Sequence, residues 1–181
     1  MMRKHDKSHE KGRKHLFSPR RVAVLGMLVA AAFVLSYIEM LLHFSVGIPG
    51  VKLGLCHIVT LFALYRLGPR AAWFTGFVRL ALNTLLFGNA MILLYSAAGT
   101  VLSLVVMMLL YKSPVFSKIG VSLAGGVSHN VGQIICAALM METPGLVWYL
   151  PVLLVSGCFC GVIIGFLGGF LVDRFERVKL L

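Results

Sequence analysis

Acidic residues are scarce in this chain: Asp and Glu together number 6, against 17 Lys and Arg. The only aspartates are Asp6 and Asp173, near opposite ends. An enzyme that works on diphosphates through magnesium needs clustered carboxylates to hold its metal, so this scarcity argues against prenyl-transfer catalysis. No G-x-x-x-x-G-K-[ST] run occurs, which removes ATP binding through a P-loop. Cysteine is limited to Cys56, Cys136, Cys158 and Cys160. All four lie in apolar stretches without a C-x-x-C pair or zinc spacing, and they read as small core residues. Ser128 and His129 are neighbours, but adjacent helical residues point about 100° apart and do not form a nucleophile–base pair. The expectation is a non-enzyme, with neither a metal site nor a cofactor of its own.

Charged residues as a class are also few, at 13%, while 59% of the chain is hydrophobic and the mean hydropathy is +0.93. Soluble domains average about 25% charged and 45–50% apolar, so the chain is read as an integral, all-α membrane protein. Spanning helices need about 20 mainly apolar residues, and six segments qualify: 22–42, 50–66, 71–87, 90–111, 119–141 and 147–172. Their breaks are marked by Pro and Gly in "VGIPG" (46–50), "RLGPR" (66–70), "FGN" (87–89), "KSPVFSK" (112–118) and "ETPG" (142–145). The predicted organisation is a basic tail over 1–21, a six-helix transmembrane bundle over 22–172, and a short basic end over 173–181.

The net charge of +11 is unevenly placed. Residues 1–21 hold eight Lys and Arg, and no apolar run precedes Leu16, so the tail is not read as a cleavable signal. Without interleaved aromatics it is read as an orienting arm that touches anionic lipid, with no nucleic-acid partner. Arg66 and Arg70, Lys112 and Lys118, and Arg174, Arg177 and Lys179 mark alternate connections, whereas the others hold only Lys52 and Glu142. The positive-inside rule then predicts a multi-pass cell-membrane protein with both termini in the cytoplasm.

In that frame the strong hydrogen-bonding groups fall at the midplane and in the outer half. Glu39 ends helix 1, Lys52 stands at the outer mouth of helix 2, and His57 lies deeper. Arg79 sits mid-helix 3 with Asn83 above it and Asn89 in the outer turn. Ser128, His129, Asn130 and Gln133 crowd helix 5. An ionisable side chain in hydrocarbon costs at least about 2.5–3.5 kcal/mol on insertion scales, so these groups are expected to face one another or water in an outward-opening cavity. Alternatives stay open for each: interhelical hydrogen bonds for Ser128, Asn130 and Gln133, a buried ion pair for Arg79 and Glu39, and a core histidine for His57. Small residues form two stripes. Gly26 and Ala30 on helix 1 suit docking of another helix, and Gly157, Gly161, Gly165 and Gly169 line one face of helix 6.

The runs "PGVKLGLCHIVTLFALYRLGPRAA", "RLALNTLLFGNAMILLYSAAGTVLSL", "VSLAGGVSHNVGQII" and "WYLPVLLVSG" resemble the bacterial Gx transporter family, also called heptaprenyl diphosphate synthase component I. The resemblance covers residues 22–172. It implies the six-helix fold of the substrate-binding S components of energy-coupling factor (ECF) transporters, whose partners are a transmembrane coupling protein and two ATPases. Small residues on helix 1 form the coupling face in S components, and Gly26 and Ala30 hold that kind of position here. The older family label implies instead a soluble prenyl diphosphate synthase partner. Family members also resemble proteins of flavin- and quinone-linked electron transfer.

Three functions follow as expectations. The first is solute uptake, with Lys52, Arg79, Asn83, Asn89, His129, Asn130 and Gln133 lining the site and Glu39 and His57 beside them. Lys52 and Arg79 make that pocket net positive, which favours an anionic or strongly polar small molecule, and apolar walls favour an attached ring or chain. The second is a non-catalytic subunit of isoprenoid diphosphate synthesis, for which a cavity opening sideways to lipid is expected. The third is a redox protein in which His57 and His129 ligate a haem.

Overall fold

The computed structural model describes residues 19–41, 55–87 and 90–176. Helix α1 runs Pro19–Leu41, α2 His57–Leu67, α3 Pro69–Phe87, α4 Ala90–Leu110, α5 Lys118–Met140 and α6 Leu150–Arg174, with a 3-10 segment at Pro144–Tyr149 before α6. No strand occurs among the described residues. Proline punctuates the starts. Pro19 and Pro69 open α1 and α3, and Pro151 lies in the first turn of α6, where a missing N–H costs nothing. Helix α5 is capped by Ser117, whose hydroxyl accepts from the Gly120 N–H at 3.1 Å. Between α2 and α3 the chain reverses on Gly68 alone, at φ 92° and ψ 177°, a backbone region open essentially only to glycine.

Four helical stretches are long and apolar enough to cross a membrane: Pro19–Ile38, Leu93–Leu110, Lys118–Met140 and Gly145–Arg174. The expected second span, 50–66, differs most. Leu55 and Cys56 form a turn, and the helix starts at His57. At about 1.5 Å per residue its 11 residues cover only about 16 Å. It therefore reaches from mid-bundle to one end, and the reason is visible in its partner: His57 meets His129, which lies halfway along α5.

Helices α4, α5 and α6 form the closest-packed layer, with α2 and α3 against them and α1 outermost. Lipid tails are as apolar as leucine, so helices in a membrane gain little from burial alone and associate through close contact. Glycine provides that contact. A Cβ built on Gly161 would lie 2.7 Å from Leu123 Cα, and one on Gly165 2.7 Å from Ile119 Cα. The α6 glycine stripe is thus filled by α5, within the bundle. Gly125 and Gly132 do the same for α5 on α4, against Met107 and against the backbone of Ala98 and Gly99. The core below is Leu61, Ala63, Leu64, Ala72, Leu104, Met107 and Val121.

The basic residues collect at one end. Arg21 donates to the Leu67 carbonyl, Arg66 to the Phe175 carbonyl at 2.8 Å, and Lys118 pairs with Asp173. Beside that pair lies a groove of about 590 Å³ walled by Tyr65, Tyr111, Phe116, Phe166 and Phe170, the last two about two-thirds exposed.

Candidate functional site

At mid-bundle the starts and middles of three helices converge. The imidazole of His57, the first residue of α2, meets that of His129 on α5 edge to face, with centroids 4.8 Å apart and planes at 75°. Arg79, near the middle of α3, is 7% exposed, and its Nη1 donates to Sγ of Cys56, the residue that precedes α2. Its Nε is buried and makes no hydrogen bond. Among the described residues, the ion pair drawn is Lys118–Asp173 at the basic end, and no carboxylate reaches Arg79.

These positions follow from local structure. The turn at Leu55–Cys56 delivers His57 and Cys56 to the interior because α2 begins there instead of passing through. His129 fits because α4 presents Gly99: a Cβ on Gly99 would lie 2.7 Å from the His129 carbonyl oxygen and 3.0 Å from His129 Nδ1. Gln133, one turn beyond His129, rests against the same glycine, its Cγ 2.7 Å from the same Cβ position. Asn83, one turn beyond Arg79 on α3, is half-buried.

The helix-5 cluster therefore divides. Ser128 donates back to the Ala124 carbonyl of its own helix at 2.6 Å. Asn130 turns to α6 and donates to the Leu153 carbonyl, also at 2.6 Å, just where the absent side chain of Gly157 leaves room. Only His129 and Gln133 stay on the side of α2 and α4. Of the other expected site residues, Lys52 and Asn89 lie outside the described residues, as does the side chain of Glu39, whose backbone falls in the last turn of α1. Gly26 and Ala30 are exposed on α1, and a Cβ on Gly26 would meet nothing within 4 Å.

One correction and one addition follow from this geometry. A haem held between His57 and His129 needs the two rings on opposite faces of a porphyrin, whereas here they touch each other. Cys56 is the small core residue expected, at 4% exposure, and its sulfur in addition accepts from the Arg79 guanidinium. The sequence carried one sign of this role, the adjacency of Cys56 to His57 at a helix start.

The groups assembled are one guanidinium, two imidazoles and the N-terminus of a helix, which bears a partial positive charge. Such a set can grip and orient a polar molecule. The Cys56 thiol stands among these groups as the acceptor of the Arg79 N–H. Neither the curated proteins nor the solved structures contain a match to this chain. A family model does match, over residues 28–171, and the chain belongs to the heptaprenyl diphosphate synthase component I family.

Proposed function

We propose that this chain is the membrane-embedded substrate-binding subunit of a solute transporter of the ECF type, and that it catalyses no reaction itself. The observation that carries the reading is the meeting of His57, Arg79 and His129, from three different helices, inside an apolar bundle. Evolution tolerates ionisable residues at that depth chiefly where they serve a ligand or ion path. With the basic end in the cytoplasm, the site opens towards the opposite face. On this reading Asn83 and Gln133 flank the approach, Asn130 fixes α5 against α6 beside it, and Glu39, Lys52 and Asn89, which the sequence assigns to the same end, complete the lining. The open Gly26–Ala30 face of α1 is offered to a transmembrane coupling protein, and two ATPases supply the energy that a chain without a P-loop cannot.

A second reading is favoured by a different observation. The groove walled by Tyr65, Tyr111, Phe116, Phe166 and Phe170 lies at the basic end with its Phe166 and Phe170 rings exposed, a surface that suits a membrane-retained prenyl chain. In that role the chain is the non-catalytic subunit of a prenyl diphosphate synthase, consistent with the family's description. Mass spectrometry of gently purified protein separates the two. A stoichiometric water-soluble molecule with copurifying ATPases is the expected result. A prenyl lipid or quinone accompanied by a soluble, aspartate-rich synthase would replace the transport reading with the second.

A further inference from the structure

We infer that the ligand of the mid-bundle site carries a compact oxyanion, a carboxylate or a phosphate, which becomes the counter-ion of Arg79 at the start of α2. The inference rests on the solute-capture reading and names the class of solute.

Arg79 brings a delocalised guanidinium cation into the bundle at 7% exposure. The partner it has found, the Cys56 thiol, is a weak acceptor without charge. Among the acids whose side chains are described, none pairs with Arg79. Asp173 is paired with Lys118, Glu142 sits exposed in the turn after α5, and Glu176 follows α6. Cys56 is also the residue from which α2 starts, so the guanidinium lies against the positive end of a helix. The two imidazoles next to it add donors and no negative charge. Positive features facing one another in a low-dielectric interior are unfavourable unless an anion sits between them. Broken helices within membrane bundles hold anionic solute groups at just such N-termini.

The open Nε edge of Arg79 gives the shape of the partner. A guanidinium edge offers parallel N–H groups that match two oxygens of one carboxylate or phosphate. An ammonium ligand finds no such match, because no carboxylate among the described residues faces this layer. The edge-to-face histidine rings leave the rest of the ligand a ring-compatible surround.

The test uses the full chain in phosphatidylcholine nanodiscs, titrated calorimetrically with benzoate, with inorganic diphosphate, and with benzylammonium as a cation of benzoate's size. At least one anion is expected to bind and benzylammonium is not. Arg79→Lys preserves the charge while removing the fork, and should weaken the anion at least tenfold with the melting temperature little changed. Preferential binding of benzylammonium, or unchanged anion affinity in Arg79→Lys, would overturn the inference. So would a tenfold gain in Glu39→Gln, which would identify Glu39 as the counter-ion Arg79 already owns. Solutes released from gently purified protein keep this question apart from the capture reading. A carboxylate or phosphate compound supports both, a cationic or neutral solute sinks the oxyanion alone, and no solute with no probe bound sinks both.

Discussion

Replacing Gly161 by alanine tests whether the α5–α6 seam is closed by glycine. The added Cβ would stand 2.7 Å from Leu123 Cα and 3.4 Å from the Leu123 nitrogen and the Ser122 carbonyl oxygen. All three are backbone atoms, so no side chain can rotate away. The two helices must part by roughly 0.8 Å to reach the ~3.5 Å at which carbon atoms attract. Overpacking of this kind costs about 1–3 kcal/mol. Alanine recovers about 0.5–1 kcal/mol of helix propensity, leaving a net loss of about 1.3 kcal/mol. For a chain of this size each kcal/mol moves the midpoint by about 2–4 °C, so Gly161→Ala should melt about 3–5 °C below wild type. The assay is thermal unfolding in nanodiscs followed by far-UV circular dichroism. Gly26→Ala is the matched control: its Cβ meets nothing within 4 Å, so it should melt at or slightly above wild type. If Gly161→Ala proved as stable as Gly26→Ala, the glycine stripe would not be setting the helix separation and the packing argument would fail.

Three further outcomes follow from the same geometry. Gly99→Ala drives a methyl into the His129 carbonyl and Gln133 Cγ, both at 2.7 Å. It should cut anion affinity at least tenfold while leaving helix content intact, as titration and circular dichroism of one sample would report. Gly68→Ala has open space around its Cβ, so its whole effect is backbone strain at φ 92°. A loss of about 1–3 kcal/mol is expected, and a melting point equal to wild type would mean that the α2–α3 reversal does not need this conformation. Asn130→Ala deletes the bond to the Leu153 carbonyl; interhelical hydrogen bonds in membranes average about 0.6 and reach about 1.7 kcal/mol. Its melting point should drop accordingly with anion affinity nearly unchanged, and a tenfold affinity loss in a stable Asn130→Ala protein would place Asn130 in the site itself.

Much of the bundle could be read from residues because membrane-length apolar runs and Pro/Gly breaks are one-dimensional signals. The ends of α3, α4 and α5 fall within a few residues of the expected breaks. The interior start of α2 was hidden because "PGVKLGLCHIV" is apolar enough to pass for the first half of a span, and hydropathy does not report where a helix begins. The arrangement of the site was half legible. His57 and His129 could be placed at similar depth by counting residues along two helices, and they do meet. Their separation, and the choice of Cys56 as the neighbour of Arg79, depend on the facing of helices that only Gly99 and the glycine seams decide. Gly99 was passed over because, lying in "SAAGTV", it looks like one small residue among several.

Arg79 and Asn130 carry the same message in the sequence, a polar group far from either end of an apolar helix, and yet they bear on function differently. The distinction lies in what each has found. Asn130 gives its amide to a backbone carbonyl, and one neutral donor matched by one acceptor leaves no charge uncompensated. Arg79 gives one of its N–H groups to a thiol and keeps a buried Nε without a hydrogen bond, so both its charge and part of its donor capacity are still unmatched. A bundle that needed only a rigid strut there would be better served by an apolar side chain of similar volume, since replacing buried charge by packed hydrocarbon is often neutral or stabilising. No described side chain offsets the guanidinium's charge at the start of α2, and on the oxyanion proposal a bound anion does so. That same deficit would make the occupied state more stable than the empty one, as any ligand that binds only the folded form must do.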